Sequence, residues 1–164
     1  MLYFGYGSNM PRARIEARLG RCERLGVACL SGWRLAFHKR SANGSGKCDA
    51  VLTNHPDDRV WGSLDRLTDE QMGALDRHEA GYDRGPVEVS FGEGTVSAML
   101  YVARKDRIDP GLRPYHWYKE LVLAGARELG LPPGYVASIE EVTSHPDPCL
   151  GRAERNRAVL NDGG

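Results

Sequence analysis

Hydrophobic and aromatic residues recur along the chain in short runs with the partial alternation that is typical of β-strands. The runs predict strands at about 2–6, 33–38, 49–54, 59–67, 86–92 and 95–103. The polar, glycine-rich segment 38–49 predicts a mobile hairpin loop, with a lid over a site as the alternative. A second hairpin turn is predicted at 91–95.

The first predicted helix follows the first strand directly. Pro11 suits its first helical position, with Asn9 or Met10 as the N-cap, and Gly20 suits its end. The preceding run from Tyr3 to Asn9 therefore predicts a glycine loop between a strand and a helix. Such a loop can present consecutive backbone N–H groups to a small anion, although a plain turn is the simpler interpretation.

A second predicted helix opens at Thr68, where Gln71 completes a capping box. Its apolar face contains Met72 and Leu75, and Glu79 follows at the same helical spacing. Buried carboxylates are uncommon unless they are paired or used in chemistry. The pattern thus predicts that Glu79 either pairs with Arg77, Arg84 or another basic residue, or acts as a general base.

A third predicted helix runs from about 113 to 130. Its inward face consists of Tyr118, Leu121, Val122, Gly125 and Leu129. Gly125 on this face predicts the close approach of another element. The Tyr118 hydroxyl is expected either to bond to backbone in the core or, beside Glu79, to serve a site. A short helix is predicted from Pro133 and a single helical turn after residue 151.

Length, charge and cysteine spacing predict the number of domains and which binding partners to expect. The 164 residues predict one domain over 1–150 and a polar tail over 151–164. Zero formal net charge gives no attraction to nucleic acid or to an anionic membrane. There is no basic-then-apolar leader and no long apolar run, so we expect a cytoplasmic protein without a membrane span. The four cysteines lack metal-site spacing, which predicts reduced thiols and no bound metal.

The loop after the first predicted strand does not match the known phosphate-binding motifs. Gly5 and Gly7 begin a dinucleotide-type spacing, but the third glycine is missing, and no Gly-Lys-Ser/Thr follows for a P-loop. Ser8 lacks the flanking pattern of a nucleophile elbow, so we expect it to form hydrogen bonds.

Several blocks stand in a fixed order: Tyr3-x-x-Tyr6-Gly7-Ser8-Asn9, Val60-Trp61-Gly62, Leu75-Asp76-Arg77-His78-Glu79, and a stretch from Tyr118-Lys119 to Tyr135. Together they resemble the signature of the γ-glutamyl cyclotransferase family. The resemblance implies an α+β fold, a small mixed β-barrel of about five to six strands flanked by helices. It also implies cleavage of a small-molecule γ-glutamyl amide to 5-oxoproline and a free amine, without a cofactor.

The same resemblance implies a set of site residues. Glu79 would be the catalytic acid and base. The substrate-binding residues would be Tyr3, Phe4, Gly5, Tyr6, Gly7, Ser8, Asn9, Tyr82 and Tyr118. Here Glu79-Ala80-Gly81-Tyr82 departs from the family pattern, which puts the role of Tyr82 in question. The leaving group stays undecided between an amino acid, an amine, glutathione and a protected intermediate. A non-catalytic binding module and a homodimer also stay open.

Overall fold

The computed structural model describes residues 1–161, which form strands and helices in a mixed order. The strands are β1 (Leu2–Gly5), β2 (Glu23–Ser31), β3 (Trp33–Arg40), β4 (Gly46–Leu52), β5 (Arg59–Arg66), β6 (Tyr82–Phe91) and β7 (Gly94–Ala103). The helices are α1 (Arg12–Leu19), α2 (Asp69–His78), α3 (His116–Glu128), α4 (Pro133–Glu140) and α5 (Leu150–Asn161), and a 3₁₀ turn spans Lys105–Arg107.

A closed barrel is formed in the order β1-β5-β2-β6-β7. Its neighbouring strands are antiparallel except for β1 and β7, which meet in parallel at Tyr3 and Met99. Strands β3 and β4 form a separate antiparallel hairpin. The predicted α+β fold with a small mixed barrel is therefore confirmed.

Strand β2 has no counterpart among the predicted strands. Its first residues, Glu23 and Arg24, are polar, and its register with β5 shifts between Arg24 and Gly26. Gly26 has a φ of 149°, a conformation that glycine tolerates best. This bulge interrupts the alternation of side chains, so the pattern of the segment does not indicate a strand.

Most of the predicted loop 38–49 is strand. β3 continues to Arg40 and β4 begins at Gly46, which leaves only 41–45 for the turn. In that turn the side-chain oxygen of Asn43 accepts hydrogen bonds from the backbone N–H and the hydroxyl of Ser45, at 3.1 and 2.7 Å. The hairpin is confirmed, but the loop is shorter than predicted because these local bonds close it.

Helix α1 begins one residue later than predicted. Pro11 itself occupies the N-cap, with φ −60° and ψ 130°, so neither Asn9 nor Met10 caps the helix. Gly20 ends it at φ 72°, as predicted. The side chain of Asn9 is consequently available for other partners.

Helix α2 carries the predicted capping box. Thr68 Oγ1 accepts from the Gln71 N–H at 3.1 Å, and Gln71 Oε1 accepts from the Thr68 N–H at 3.0 Å. Met72 and Leu75, on the inner face of the helix, are fully buried. These contacts fix the helix, which places Glu79 directly after its last residue, at the C-cap.

Helix α3 packs closely on the loop after β1. A Cβ at Gly125 would lie 2.4 Å from Met10 Cβ and 2.7 Å from Pro11 Cδ. Only a residue without a side chain allows this approach, so the close contact predicted from Gly125 is confirmed.

The C-terminal segment forms more structure than the single helical turn predicted there. Helix α5 runs for twelve residues, and Ala153 is buried against the rest of the protein. Just before it, Asp147 accepts from the Trp117 indole N–H at 2.8 Å and from Arg152 Nε at 2.6 Å. The last residues of the predicted polar tail, 162–164, lie outside the described residues. Within 1–161, the helices are too short or too polar to cross a membrane.

Candidate active site

The loop after β1 leaves consecutive backbone donors unused. The Met10 N–H donates to the Gly7 carbonyl at 3.1 Å and closes a tight turn. Within residues 1–161, the N–H groups of Gly7, Ser8 and Asn9 have no acceptor. Buried or half-buried amides are normally paired, so three adjacent free donors are suited to a bound oxygen atom of a ligand.

These residues form one wall of a cavity of about 30 Å³. It is lined by Tyr3, Tyr6, Gly7, Ser8, Asn9, Cys48, Glu79, Tyr82, Tyr101 and Tyr118. The cavity thus combines residues that lie far apart in sequence, from Tyr3 to Tyr118.

Two residues expected to bind substrate do not line this cavity. Phe4 is fully buried in the core, with its ring centroid 6.2 Å from that of Tyr6. Gly5 lies behind the wall, where a Cβ would sit 3.0 Å from Ser63 Oγ and 3.1 Å from the Tyr3 ring. Phe4 supports the wall because it fills the core behind it, and Gly5 because it leaves room for the Tyr3 ring. Their roles in substrate binding stay predictions.

Two residues hold the Glu79 carboxylate through one of its oxygens. Its side chain is 14% exposed, and Oε1 accepts from Asn9 Nδ2 at 2.8 Å. Arg18 Nη1 lies 3.5 Å from the same oxygen. The pairing with an arginine that the sequence left open is therefore present, and it comes from α1. The contacts orient the carboxylate toward the cavity and leave its second oxygen free of protein partners within 1–161.

Asn9 connects three parts of the site. Its amide nitrogen donates to Glu79 and also to the Tyr3 hydroxyl, at 3.1 Å. Its amide oxygen accepts from Arg18 at 2.7 Å. The residue is 4% exposed, so its buried side chain links the loop to α1 and to the end of α2.

The phenols of the cavity are neutral at physiological pH. Five of the seven tyrosines of the chain line it, and burial is the main reason why the pKa of each lies above its ordinary value. Three of them already donate their protons: Tyr6 to the Tyr101 carbonyl, Tyr101 to Asp76 and Tyr82 to the Cys48 carbonyl.

The other two phenols accept hydrogen bonds. Tyr3 accepts from Asn9, and Tyr118 accepts from the Cys48 backbone N–H at 3.1 Å. Within 1–161, the hydroxyl proton of Tyr3 has no acceptor, and that of Tyr118 has only the weakly accepting sulfur of Cys48. The backbone bond expected for Tyr118 is thus present, and it leaves the O–H of Tyr118 without a strong acceptor in the cavity wall.

Cys48 is a site residue that the sequence did not indicate. Its backbone contacts two phenols, because its carbonyl accepts from Tyr82 at 2.7 Å and its N–H donates to Tyr118. Burial raises the pKa of its thiol to about 12, so the sulfur is protonated at neutral pH and is a poor nucleophile. The hydrogen bond from the Tyr82 hydroxyl to the Cys48 carbonyl fixes Tyr82 in the cavity wall, although the residues before it depart from the family pattern.

A wider cavity of about 360 Å³ adjoins the first one and shares with it Ser8, Glu79, Tyr82 and Tyr118. Its lining includes Arg14, Arg18, Lys39, Lys47 and Arg152. The sequence carried one signal for this set, since Arg14 and Arg18 are one helical turn apart. A ligand held by the inner cavity would extend into this basic space.

Comparison with known proteins gives a consistent result. Residues 3–120 match the family described as "Gamma-glutamyl cyclotransferase, AIG2-like", a range that includes every predicted site residue. The chain is 29% identical over 154 residues to the human gamma-glutamylcyclotransferase and 30% identical to the mouse one, covering 86% of this chain and 78% of each relative. A solved structure titled "Gamma-glutamyl cyclotransferase" superposes with a TM-score of 0.84 at 26% identity, over 99% of this chain and 98% of that chain.

Proposed function

The chain belongs to the gamma-glutamyl cyclotransferase, AIG2-like family, and from this premise we propose how its cavity cleaves a γ-glutamyl amide to 5-oxoproline and a free amine. The protein is an enzyme of this type, as its named relatives are. The substrate carries its own nucleophile, because its α-amine can close a five-membered ring on the γ-carbonyl. Orientation of that folded substrate is the main requirement, and it can supply a large part of the rate.

Protons have to move in a defined way. The α-ammonium first gives a proton to the Glu79 carboxylate, and the free amine attacks the γ-carbonyl carbon. A C–N bond forms in the ring while the bond to the leaving nitrogen breaks. Overall the attacking nitrogen loses two protons and the departing nitrogen gains two, and Glu79 relays them. The carboxylate is suited to this role because one of its oxygens is anchored and the other is free.

The developing negative charge needs hydrogen-bond donors. We assign this role to the free N–H groups of Gly7, Ser8 and Asn9, with the Tyr118 hydroxyl as an additional donor. Preorganised donors of this kind commonly supply several kcal/mol to acyl-transfer transition states. Tyr3 offers a further proton to the glutamyl carboxylate or carbonyl.

A single observation carries the proposal: an anchored carboxylate and three adjacent free backbone donors line one small cavity. A binding module would have no use for a carboxylate beside the donors for an anion, because the two charges would repel each other. A cyclase needs both, since its substrate presents an ammonium and a carbonyl that becomes negative.

The test measures 5-oxoproline released from γ-glutamyl-alanine, a γ-glutamylamine and glutathione. We expect Glu79→Gln to reduce kcat/KM by at least about 10²-fold, the lower end for general acid–base catalysis. The matched control is Glu70→Gln, which changes an exposed glutamate in the first turn of the same helix and should retain full activity.

Urea unfolding of both variants separates catalysis from folding. A Glu79→Gln protein that is folded and fully active would remove Glu79 as the base. One that is unfolded would show that its carboxylate is chiefly structural. A wild-type protein that releases no 5-oxoproline from any of the three compounds would contradict the proposed reaction itself.

The finer points of the sequence analysis stay predictions. The cytoplasmic location, the single domain over 1–150 and the roles of the individual site residues belong to this group. A homodimer is still open, and light scattering on the purified protein measures it directly.

A further inference from the structure

Positive charge is concentrated in the wider cavity. Five cationic side chains line it, and among its described lining residues Glu79 is the only carboxylate. The chain as a whole has 22 basic and 22 acidic residues, so the excess is local. An uncompensated group of like charges at a partly enclosed site is unfavourable unless an anion joins it.

Lys47 is the least compensated of these cations. Its ammonium nitrogen is buried and has no hydrogen-bond partner within the described part of the chain. It lies over the rings of Trp117 and Tyr118, 4.1 and 4.0 Å from their centroids. Burial lowers the pKa of Lys47 to about 7, which a bound anion would reverse.

Arg14 and Lys39 also lack a counter-ion. Across residues 1–161, neither has a carboxylate within ion-pair distance. Among the described residues, Arg14 Nε is buried without a partner, and the Lys39 ammonium has only the Ala80 carbonyl at 2.7 Å and the Tyr82 ring. Arg152 differs, since Asp147 neutralises it.

The position of this charge matters for the reaction. Because Glu79 lines both cavities, a γ-glutamyl group bound at the inner donors would direct its scissile amide toward the wider cavity. The leaving group would then meet Lys47, Lys39 and Arg14. Arg152 also lines the wider cavity, from α5.

We propose that the wider cavity selects substrates whose leaving amine carries at least two negative charges, one more than the α-carboxylate of an ordinary amino acid. This inference rests on the proposed function, because it specifies the leaving group of that reaction. The second anion can be a carboxylate or a phosphate, since both accept charge-assisted hydrogen bonds from lysine and arginine. Cationic leaving groups are disfavoured in the same space.

The test compares substrates that differ in charge but hardly in shape. The first pair is γ-glutamyl-glutamate and γ-glutamyl-glutamine, and the second is γ-glutamyl-O-phosphoserine and γ-glutamyl-serine. At low ionic strength we expect kcat/KM to favour the acidic member by about tenfold or more, and added salt to reduce that ratio. Comparing the two pairs shows whether carboxylate or phosphate is preferred.

Variants locate the effect. Lys47→Met removes the charge from a buried side chain and is expected to lower the acidic-to-neutral ratio at least about threefold. Lys105→Met makes the same replacement at an exposed lysine that lines neither cavity, so the ratio should equal that of the wild type. If Lys47→Met does not fold, the wild-type ratios alone decide the inference.

The outcomes separate the two claims. Release of 5-oxoproline from both members of each pair at rates within twofold would overturn the charge preference and leave the proposed reaction intact. Release from neither would contradict the reaction, and the dissociation constants of the same peptides would then judge the preference. Equal dissociation constants for the acidic and neutral peptides overturn the charge preference, and tighter binding of the acidic peptides supports it.

Discussion

Replacing Lys47 by methionine should stabilise the protein, and the gain should shrink as the pH rises. In the folded protein, burial lowers the pKa of this lysine from its usual 10.5 to about 7. Below pH 7 both the folded and the unfolded chain carry the charge, and the full cost of burying it is present. Between pH 7 and 10.5 only the unfolded chain binds the proton, so the stability of the wild type rises with pH there.

The size of the effect follows from the same shift. Each pKa unit corresponds to about 1.4 kcal/mol, so a displacement of between three and four units sets an upper limit of about 5 kcal/mol. Between pH 6 and pH 9, linkage predicts that the advantage of Lys47→Met falls by about 2–3 kcal/mol. Methionine retains contact with the two aromatic rings, which limits the loss of packing.

Urea unfolding of the wild type and of Lys47→Met at pH 6, 7.5 and 9 measures this directly. All other titrating groups are shared by the two proteins, so they cancel in the difference. Lys105→Met, changed at an exposed site, should show no pH-dependent difference from the wild type. A constant difference between wild type and Lys47→Met over this range would refute the reasoning, because the ammonium would then be solvated in the folded state.

Three further substitutions test the cavity and its support. Gly7→Val should raise KM at least about tenfold with a smaller effect on the melting temperature, because its side chain would point at Cys48, 3.1 Å from the Cβ position. Tyr118→Phe should lower kcat/KM by about tenfold. It should also lower the unfolding free energy by about 1–3 kcal/mol, because it leaves the Cys48 N–H unpaired. Unchanged kinetics would show that Tyr118 is a core residue only. Gly125→Ala should cost about 1–3 kcal/mol by thermal unfolding through its clash with Met10, and an unchanged midpoint would contradict the close packing.

The features that the sequence predicted are those encoded by neighbouring residues. Thr68 and Gln71 define where α2 begins, and the spacing after Leu75 brings Glu79 to its end. The glycine loop was recognisable because glycines interrupt a strand just before a helix. Local sequence patterns were therefore sufficient to predict where the Glu79 carboxylate and the glycine loop of the candidate site lie.

The remaining parts of the site depend on contacts between distant segments. Cys48 takes part through its backbone, and every residue has a backbone N–H and carbonyl, so no side-chain pattern could single it out. Asn9 resembles a helix cap in sequence, yet it bonds to Glu79, seventy residues away. Lys47 lies in a polar segment that predicts exposure, and only the register of the hairpin buries its ammonium.

The parallel contact between β1 and β7 also has a consequence for synthesis of the protein. Strand β1 leaves the ribosome before its partners β5 and β7, at Arg59–Arg66 and Gly94–Ala103. At about 5–20 residues per second, β1 waits for several seconds before it can pair on both sides. The glycine loop is attached to β1, so its donors reach Glu79 only after the barrel closes. A nascent chain in which β7 has not yet emerged therefore has no assembled site.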